Sequence, residues 1–257
     1  MDLIAETISH RFDALDVLDR VSFTVGAGEV VALVGPSGCG KSTLLAILGG
    51  LLQPSKGQAV LRGAPPPGSL NPLTFVFQDF ALLPWASVAD NVAFPLLHTS
   101  LSTQQRAAAV DDALRRTGLA DFRTVYPKQL SGGMRQRVGI ARALAVRPAI
   151  LLMDEPLSAL DSQTRELLME DFVDLLADGT MGAVYVTHNL EEAVRLADRI
   201  VVLSRRPGRI RKVVSVPATR RSRGDAGVRA QLLDLQNELW GLIRTEAIDA
   251  EREVQNA

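Results

Sequence analysis

Only one of the 257 residues is a cysteine, Cys39, so no internal disulfide can brace the fold, and a lone thiol suits a reducing compartment. No CxxC pair is present to build a zinc module. No apolar run approaches 18 residues, and nothing reads as a membrane span. An excess of charge of either sign is missing too: a net charge of -1 gives no global field for nucleic acid or anionic lipid, which argues against a general DNA or RNA binder. Residues 1–12 carry Asp2 and Glu6 and lack a basic start, unlike a secretory signal. What is present is 47% hydrophobic residues, ample for a buried core in one large domain or two small ones.

The most informative stretch is Gly35-Pro36-Ser37-Gly38-Cys39-Gly40-Lys41-Ser42-Thr43, which fits the phosphate-binding pattern Gly-x4-Gly-Lys-[Ser/Thr]. Its glycines let consecutive backbone N–H groups converge on phosphate oxygens. Lys41 is spaced to reach the β- and γ-phosphates, Ser42 offers a hydroxyl to Mg²⁺, and a helix beginning at Thr43 turns its positive end to the same anion. The same helix end is expected to favour the Cys39 thiolate. An apolar run, Val30 to Val34, precedes the loop and Leu44, Leu45, Ile47 and Leu48 follow it, so strand, loop and helix come in the required order.

Along the chain, residues 1–34 read as short strands, with Leu3–Ala5 and Val21–Val25 bounded by turns. Further strands are expected at 58–61 and 73–77. From Phe80 to about Ala145 the pattern turns helical, with a capping box at Ser102 and Gln105 and Gly118 placed to end that helix. Strands at 149–153, 183–187 and 200–203 then alternate with helices near 162–177 and 190–197. Continuous apolar strands imply burial on both faces, hence an α/β fold with a mostly parallel sheet. Eight basic residues and no acid fall between Arg205 and Arg223, which reads as a solvated turn or as a surface for anionic headgroups. Beyond it, Val228, Leu232, Leu235, Leu239 and Leu242 make an amphipathic helix expected to pack on its own domain.

Two more segments carry chemistry. Ile150 to Met153 deliver Asp154 and Glu155 at a strand's C-terminal end, where open α/β sheets bind ligands. Asp154 suits a Mg²⁺ shell, and Glu155 is placed to orient or deprotonate a water. Leu130-Ser131-Gly132-Gly133-Met134 opens a helix with a hydroxyl and glycines but no lysine, so it is either a weak anion site or an ordinary N-capped helix.

Gly35 to Thr43, Gln78, Leu130 to Arg137, Leu152-Met153-Asp154-Glu155-Pro156, Ser158-Ala159-Leu160-Asp161 and Thr187-His188 resemble, in order, the motifs of ATP-binding cassette (ABC) transporter ATPases. That resemblance covers residues 3–210. It implies a P-loop NTPase core, an antiparallel β edge subdomain, and a helical subdomain at 79–146 inserted into an ATPase domain of residues 1–225, followed by the helix and tail 226–257. It further implies that Phe12 and Val17 hold adenine, that Ser42, Gln78 and Asp154 share Mg²⁺, and that His188 contacts the γ-phosphate. Ser131, Gly132, Gly133 and Asp161 would complete the site of a second copy, so the resemblance implies a homodimer around two ATP.

Leu82-Leu83-Pro84-Trp85 and Ser204 to Ile210 look like the importers of nitrate, sulfonates and taurine. The resemblance therefore implies a cytoplasmic ATPase held on the inner membrane face by two transmembrane permease subunits, with an extracytoplasmic solute-binding protein and no nucleic acid partner. Phe80, Leu82 and Trp85 either contact the permease or pack inside the helical subdomain. An exporter ATPase and a soluble non-transport ABC ATPase are the alternatives.

Overall fold

Strands here are of two kinds, and the difference decides the architecture. The computed structural model describes residues 1–177 and 179–255. Strands β1 (Asp2–Phe12), β2 (Leu15–Val25) and β4 (Lys56–Arg62) form an antiparallel sheet in the order β2-β1-β4. In β1 the buried positions alternate, as in a sheet covered on one face only. Each arm of the β1–β2 hairpin is 11 residues long, well beyond the short strands expected at Leu3–Ala5 and Val21–Val25. Register shifts between Ala5 and Arg11 explain the difference: the bulged pairing interrupts the alternation that a sequence pattern relies on.

The second sheet has the order β5-β6-β7-β3-β8-β9, with β3 (Val30–Val34), β5 (Leu73–Val76), β6 (Ile150–Asp154), β7 (Gly182–Val186) and β8 (Arg199–Leu203) parallel and β9 (Ile210–Ser215) antiparallel at the edge. Every residue of β3 and β7 is buried. Val30, Ala32 and Val34 point into one core, whereas Val31 and Leu33 point into another with Leu44, Leu45 and Ile47 of α1 (Lys41–Leu48).

The larger core takes in α2 (Val88–Ala93), α3 (Thr103–Arg116) and α4 (Gly132–Leu144), which form the helical insertion, together with α5 (Ser162–Leu176), α6 (Leu190–Leu196) and α7 (Ala226–Gln255). Ser102 and Gln105 make the expected capping box on α3, and Gly118 follows that helix with φ 66°. Along α7, Leu232, Leu235 and Leu239 are buried against the domain.

The basic stretch 205–223 is more than a turn, although Arg209 and Arg211 remain largely exposed. It contains β9, and its side chains pair with acids distant in sequence: Arg209 with Asp19 at 2.6 Å, Arg211 with Glu246 at 3.3 Å, Lys212 with Glu238, and Arg220 with Asp198 at 2.5 Å. Arg223 is buried, donates to the carbonyls of Arg195 and Ala218, and has its pKa lowered to about 10 by desolvation, which Asp198 opposes. No acid lies within the stretch, so its partners could not be read locally. Among the described residues no helix is long and apolar enough to cross a membrane.

Candidate functional site

Three parallel strands, β3, β6 and β7, end side by side, and the loops beyond them carry the chemistry. After β3 the chain enters α1 through Gly38 (φ 75°) and Gly40 (φ 103°), left-handed conformations that glycine adopts without steric cost. Gly40 occupies the N-cap with no side-chain cap, which leaves the first N–H groups of α1 aimed outward. Lys41 folds across the loop, donating from Nζ to the carbonyls of Gly35 at 2.9 Å and Pro36 at 3.0 Å.

Cys39 does not behave as expected. It is only 1% exposed, lies in the smaller core, and burial raises its thiol pKa more than Lys41 lowers it. Lys41 Nζ approaches the sulfur at 3.9 Å, but the loss of water around the buried thiol outweighs both that cation and the helix end.

At the end of β6, Ser42 Oγ donates to Asp154 Oδ1 at 3.1 Å. Burial raises the Asp154 pKa above the usual carboxylate value and Glu155 adds to the rise, while Ser42 and Lys41 oppose it. Glu155 has φ 45°, a left-handed backbone for a residue with a Cβ, and is held there by its N–H to the Val186 carbonyl at 3.0 Å. Its Oε2 is 3.0 Å from Nδ1 of His188. A carboxylate only accepts, so Nδ1 carries the proton in that pair and Nε2 faces away from it. Below His188, Tyr185 and Thr187 both donate to buried Glu192 Oε2 at 2.9 and 2.7 Å, which fixes the turn. This carboxylate, on α6, had no motif to announce it.

Phe12, Leu15, Val17, Ser37, Gly38, Gly40, Lys41, Ser42, Thr43, Glu155 and Arg206 line a cleft of about 360 Å³. One wall is apolar and the floor is the phosphate loop. The edge of the Phe12 ring meets His10 with centroids 4.6 Å apart. Leu15 and Arg206 were missed in the sequence. Leu15 follows from the alternation that places it on the same side of β2 as Val17, but Arg206 comes from a loop some 160 positions after the phosphate loop. Gln78 is exposed just beyond β5 and lies outside this lining.

Ser131, Gly132, Gly133 and Asp161 also lie outside it. Ser131 caps α4 by accepting from the Met134 N–H at 3.2 Å, and Asp161 caps α5 by accepting from Gln163 and Thr164. These hydrogen bonds hold the Asp161 carboxyl below its usual pKa.

The family model described as ABC transporter matches residues 18–158. The taurine import ATP-binding protein TauB of Burkholderia thailandensis is 46% identical over 207 residues, 80% of each chain. TauB of Chromobacterium violaceum is 44% identical over 230 residues, 89% of this chain and 88% of its own. Among solved structures, the dimeric ATP-binding cassette MJ0796 in a post-hydrolysis state with ADP and Pi is 31% identical with a TM-score of 0.71, over 84% of this chain and 99% of that one. CbiO1 of Clostridium perfringens, part of the ABC transporter complex cbiONQ, is 25% identical with a TM-score of 0.74, over 91% and 94%. On this breadth of likeness, in sequence and in fold, the chain belongs to the ABC transporter family as an ATP-hydrolysing cassette.

Proposed function

We propose that the protein is the ATPase subunit of an importer for a small sulfonate-type solute such as taurine, with the nitrate importers as the neighbouring class. The relatives' names point to import, and the single observation that carries the chemistry is the cleft lined by the phosphate loop, Ser42 and Glu155, to which Asp154 and His188 are joined from outside the lining through Ser42 and Glu155.

In this reading a nucleotide's triphosphate lies along Gly35 to Thr43, and its adenine rests on Phe12 and Val17. Lys41 exchanges the loop carbonyls for phosphate oxygens. Mg²⁺ fits the residues present: a hydroxyl and a desolvated carboxylate are hard oxygen donors, and among the described residues no cluster of three His, Cys, Asp or Glu offers a caged alternative. Ser42 and Asp154 would hold the ion and Gln78 would join them from the exposed turn after β5, the ion neutralising phosphate charge when bound. Glu155 orients the attacking water and accepts its proton, while His188 presents Nε2 toward the γ-phosphate.

Ser131, Gly132, Gly133 and Asp161 are assigned to the nucleotide of a second copy in a homodimer, in keeping with the dimeric cassettes this chain resembles. Two transmembrane permease subunits would dock on the helical insertion, where Trp85 is 75% exposed and Phe94 and Leu97 are half exposed. Leu82 packs inward against the core, so Trp85 and not Leu82 supplies the contact. A solute-binding protein would deliver the solute from outside, and the ATPase would work at the cytoplasmic face of the membrane, without a nucleic acid partner.

The test compares wild type with Glu155→Gln and Lys41→Ala for ATP binding, turnover and size. Glu155→Gln should bind ATP, accumulate as a dimer and lose about a thousandfold in turnover, whereas Lys41→Ala should lose affinity. Wild-type turnover in Glu155→Gln, or a strictly monomeric enzyme at full rate, overturns the reading.

A further inference from the structure

The loop between β8 and β9 has no assigned role, yet it is built into the wall of the cleft. Gly208 donates its N–H to the Val17 carbonyl at 2.8 Å and accepts from the Asp19 N–H at 3.0 Å, so the loop extends the hairpin that carries the apolar wall. On its other side Gly208 approaches the phosphate loop so closely that a Cβ there would lie 2.3 Å from the Cys39 carbonyl oxygen. Arg209 pairs with Asp19 at 2.6 Å, and Ser204 exchanges hydrogen bonds with Arg209 across the turn. The turn is thereby pinned at the seam between apolar wall and phosphate loop, with Arg206 among the residues that line the cleft.

The far end of the chain holds the same loop. Glu246 on α7, whose side chain is mostly buried, accepts from the Arg205 N–H at 3.1 Å through Oε2 and pairs with Arg211 Nε at 3.3 Å through Oε1. One carboxylate therefore clasps both sides of the turn that presents Arg206. A nucleotide with its base on the wall and its triphosphate in the loop has its ribose and α-phosphate at that seam. A guanidinium is always charged and offers several donors in a fixed fork, which suits a phosphate ester beside a ribose hydroxyl.

We propose that Arg206 is a nucleotide-binding residue that meets the ribose and α-phosphate, and that α7 positions it through Glu246. This rests on the cleft being the ATP site. Contact at the α-phosphate is shared by ATP and ADP, so it strengthens both alike and leaves their ratio unchanged. The C-terminal helix then tunes nucleotide affinity from outside the motifs.

Equilibrium titration of the full chain with ATP and with ADP tests this on wild type, Arg206→Ala, Arg206→Lys, Glu246→Ala, the double alanine variant and Lys41→Ala. Arg206→Ala should weaken ATP and ADP by the same factor, about 5- to 10-fold, with a smaller loss for Arg206→Lys. Glu246→Ala should weaken both by about 2- to 5-fold alone and by nothing further in the Arg206→Ala background, since its effect passes through that side chain. Unchanged affinity in Arg206→Ala, or a loss confined to ATP, overturns the contact. An undiminished effect of Glu246→Ala in the double variant overturns the positioning role. If Lys41→Ala binds as wild type does, it is the reading of the cleft that fails.

Discussion

The two glycines that open α4 should answer differently to the same added methyl group. A Cβ on Gly133 would lie 2.4 Å from Thr164 Cγ2, whereas one on Gly132 would meet nothing closer than Leu160 Cδ2 at 3.6 Å. Thr164 has no easy escape, because its side chain is β-branched and its Oγ1 is bonded to Asp161 Oδ2 at 2.8 Å in the cap of α5. To restore ordinary carbon contact, α4 and α5 must separate by about 1 Å. Overpacking of this kind costs about 1–3 kcal/mol. The helix preference for alanine over glycine offsets at most ~1 kcal/mol, and less in a first turn.

The net loss for Gly133→Ala is therefore about 1–2 kcal/mol, and a chain of this length has an unfolding entropy of ~0.5 kcal/mol/K, so Tm should fall by about 2–4 °C. Gly132→Ala should not lower it. The decisive variant is Thr164→Ser on the Gly133→Ala background: it deletes Cγ2, keeps the hydroxyl on Asp161, and should recover most of the loss. Thermal unfolding followed by circular dichroism reads all three. A Gly133→Ala protein as stable as wild type, or one that Thr164→Ser fails to rescue, would refute the packing argument. Turnover separates the two roles, since Gly132→Ala should slow ATP hydrolysis without a change in Tm.

Three further outcomes are expected. The Asp161 carboxyl is held below its ordinary pKa of 3.8 in the folded state, so the stability it confers is present above that value and disappears as pH falls through the lower folded value; Asp161→Asn should flatten the decline of Tm between pH 5 and pH 3. A buried Cys39 with a raised pKa should react with iodoacetamide far more slowly in the native protein than in denaturant, and equal rates would contradict its burial. Arg223→Met leaves the Arg195 and Ala218 carbonyls without their donor and should cost about 1–3 kcal/mol, seen as a lower midpoint in urea.

What could be read from the sequence was whatever repeats locally or chemically. The phosphate loop, the carboxylates after β6 and the capping box on α3 depend on neighbours within a few residues, and their spacing is their mechanism. The β1–β2 hairpin was underestimated because its bulges break the period of two. Cys39 was misjudged since the field of a helix end is visible in sequence while the apolar core that buries the thiol is assembled from several strands together with α1. The arginines after position 205 find their acids on β2, α7 and the turn before β8, so their partners emerge only once the chain is folded. Arg206 and Glu246 have the same origin.

The way α4 is fastened bears on the proposal that two copies share a site. Its second turn is anchored by Gln136, buried and donating to the Pro156 carbonyl directly beyond Glu155, and its first turn is locked to α5 through Gly133 and Thr164. Arg137 adds a bond to Asp171 of α5 at 2.8 Å. For Ser131 to reach the cleft of its own chain, α4 would have to leave these contacts, exposing an unpaired buried amide and a helix–helix seam together. Either loss alone costs about 1–3 kcal/mol. Ser131 stays exposed and Gly132 half exposed beside the Asp161 cap, while Gly133 is buried against α5, so a neighbouring molecule can meet the hydroxyl and the first glycine without disturbing any of these bonds. Bringing in a second phosphate loop from outside is the less costly rearrangement, and the reading of a shared site draws its physical support from that asymmetry.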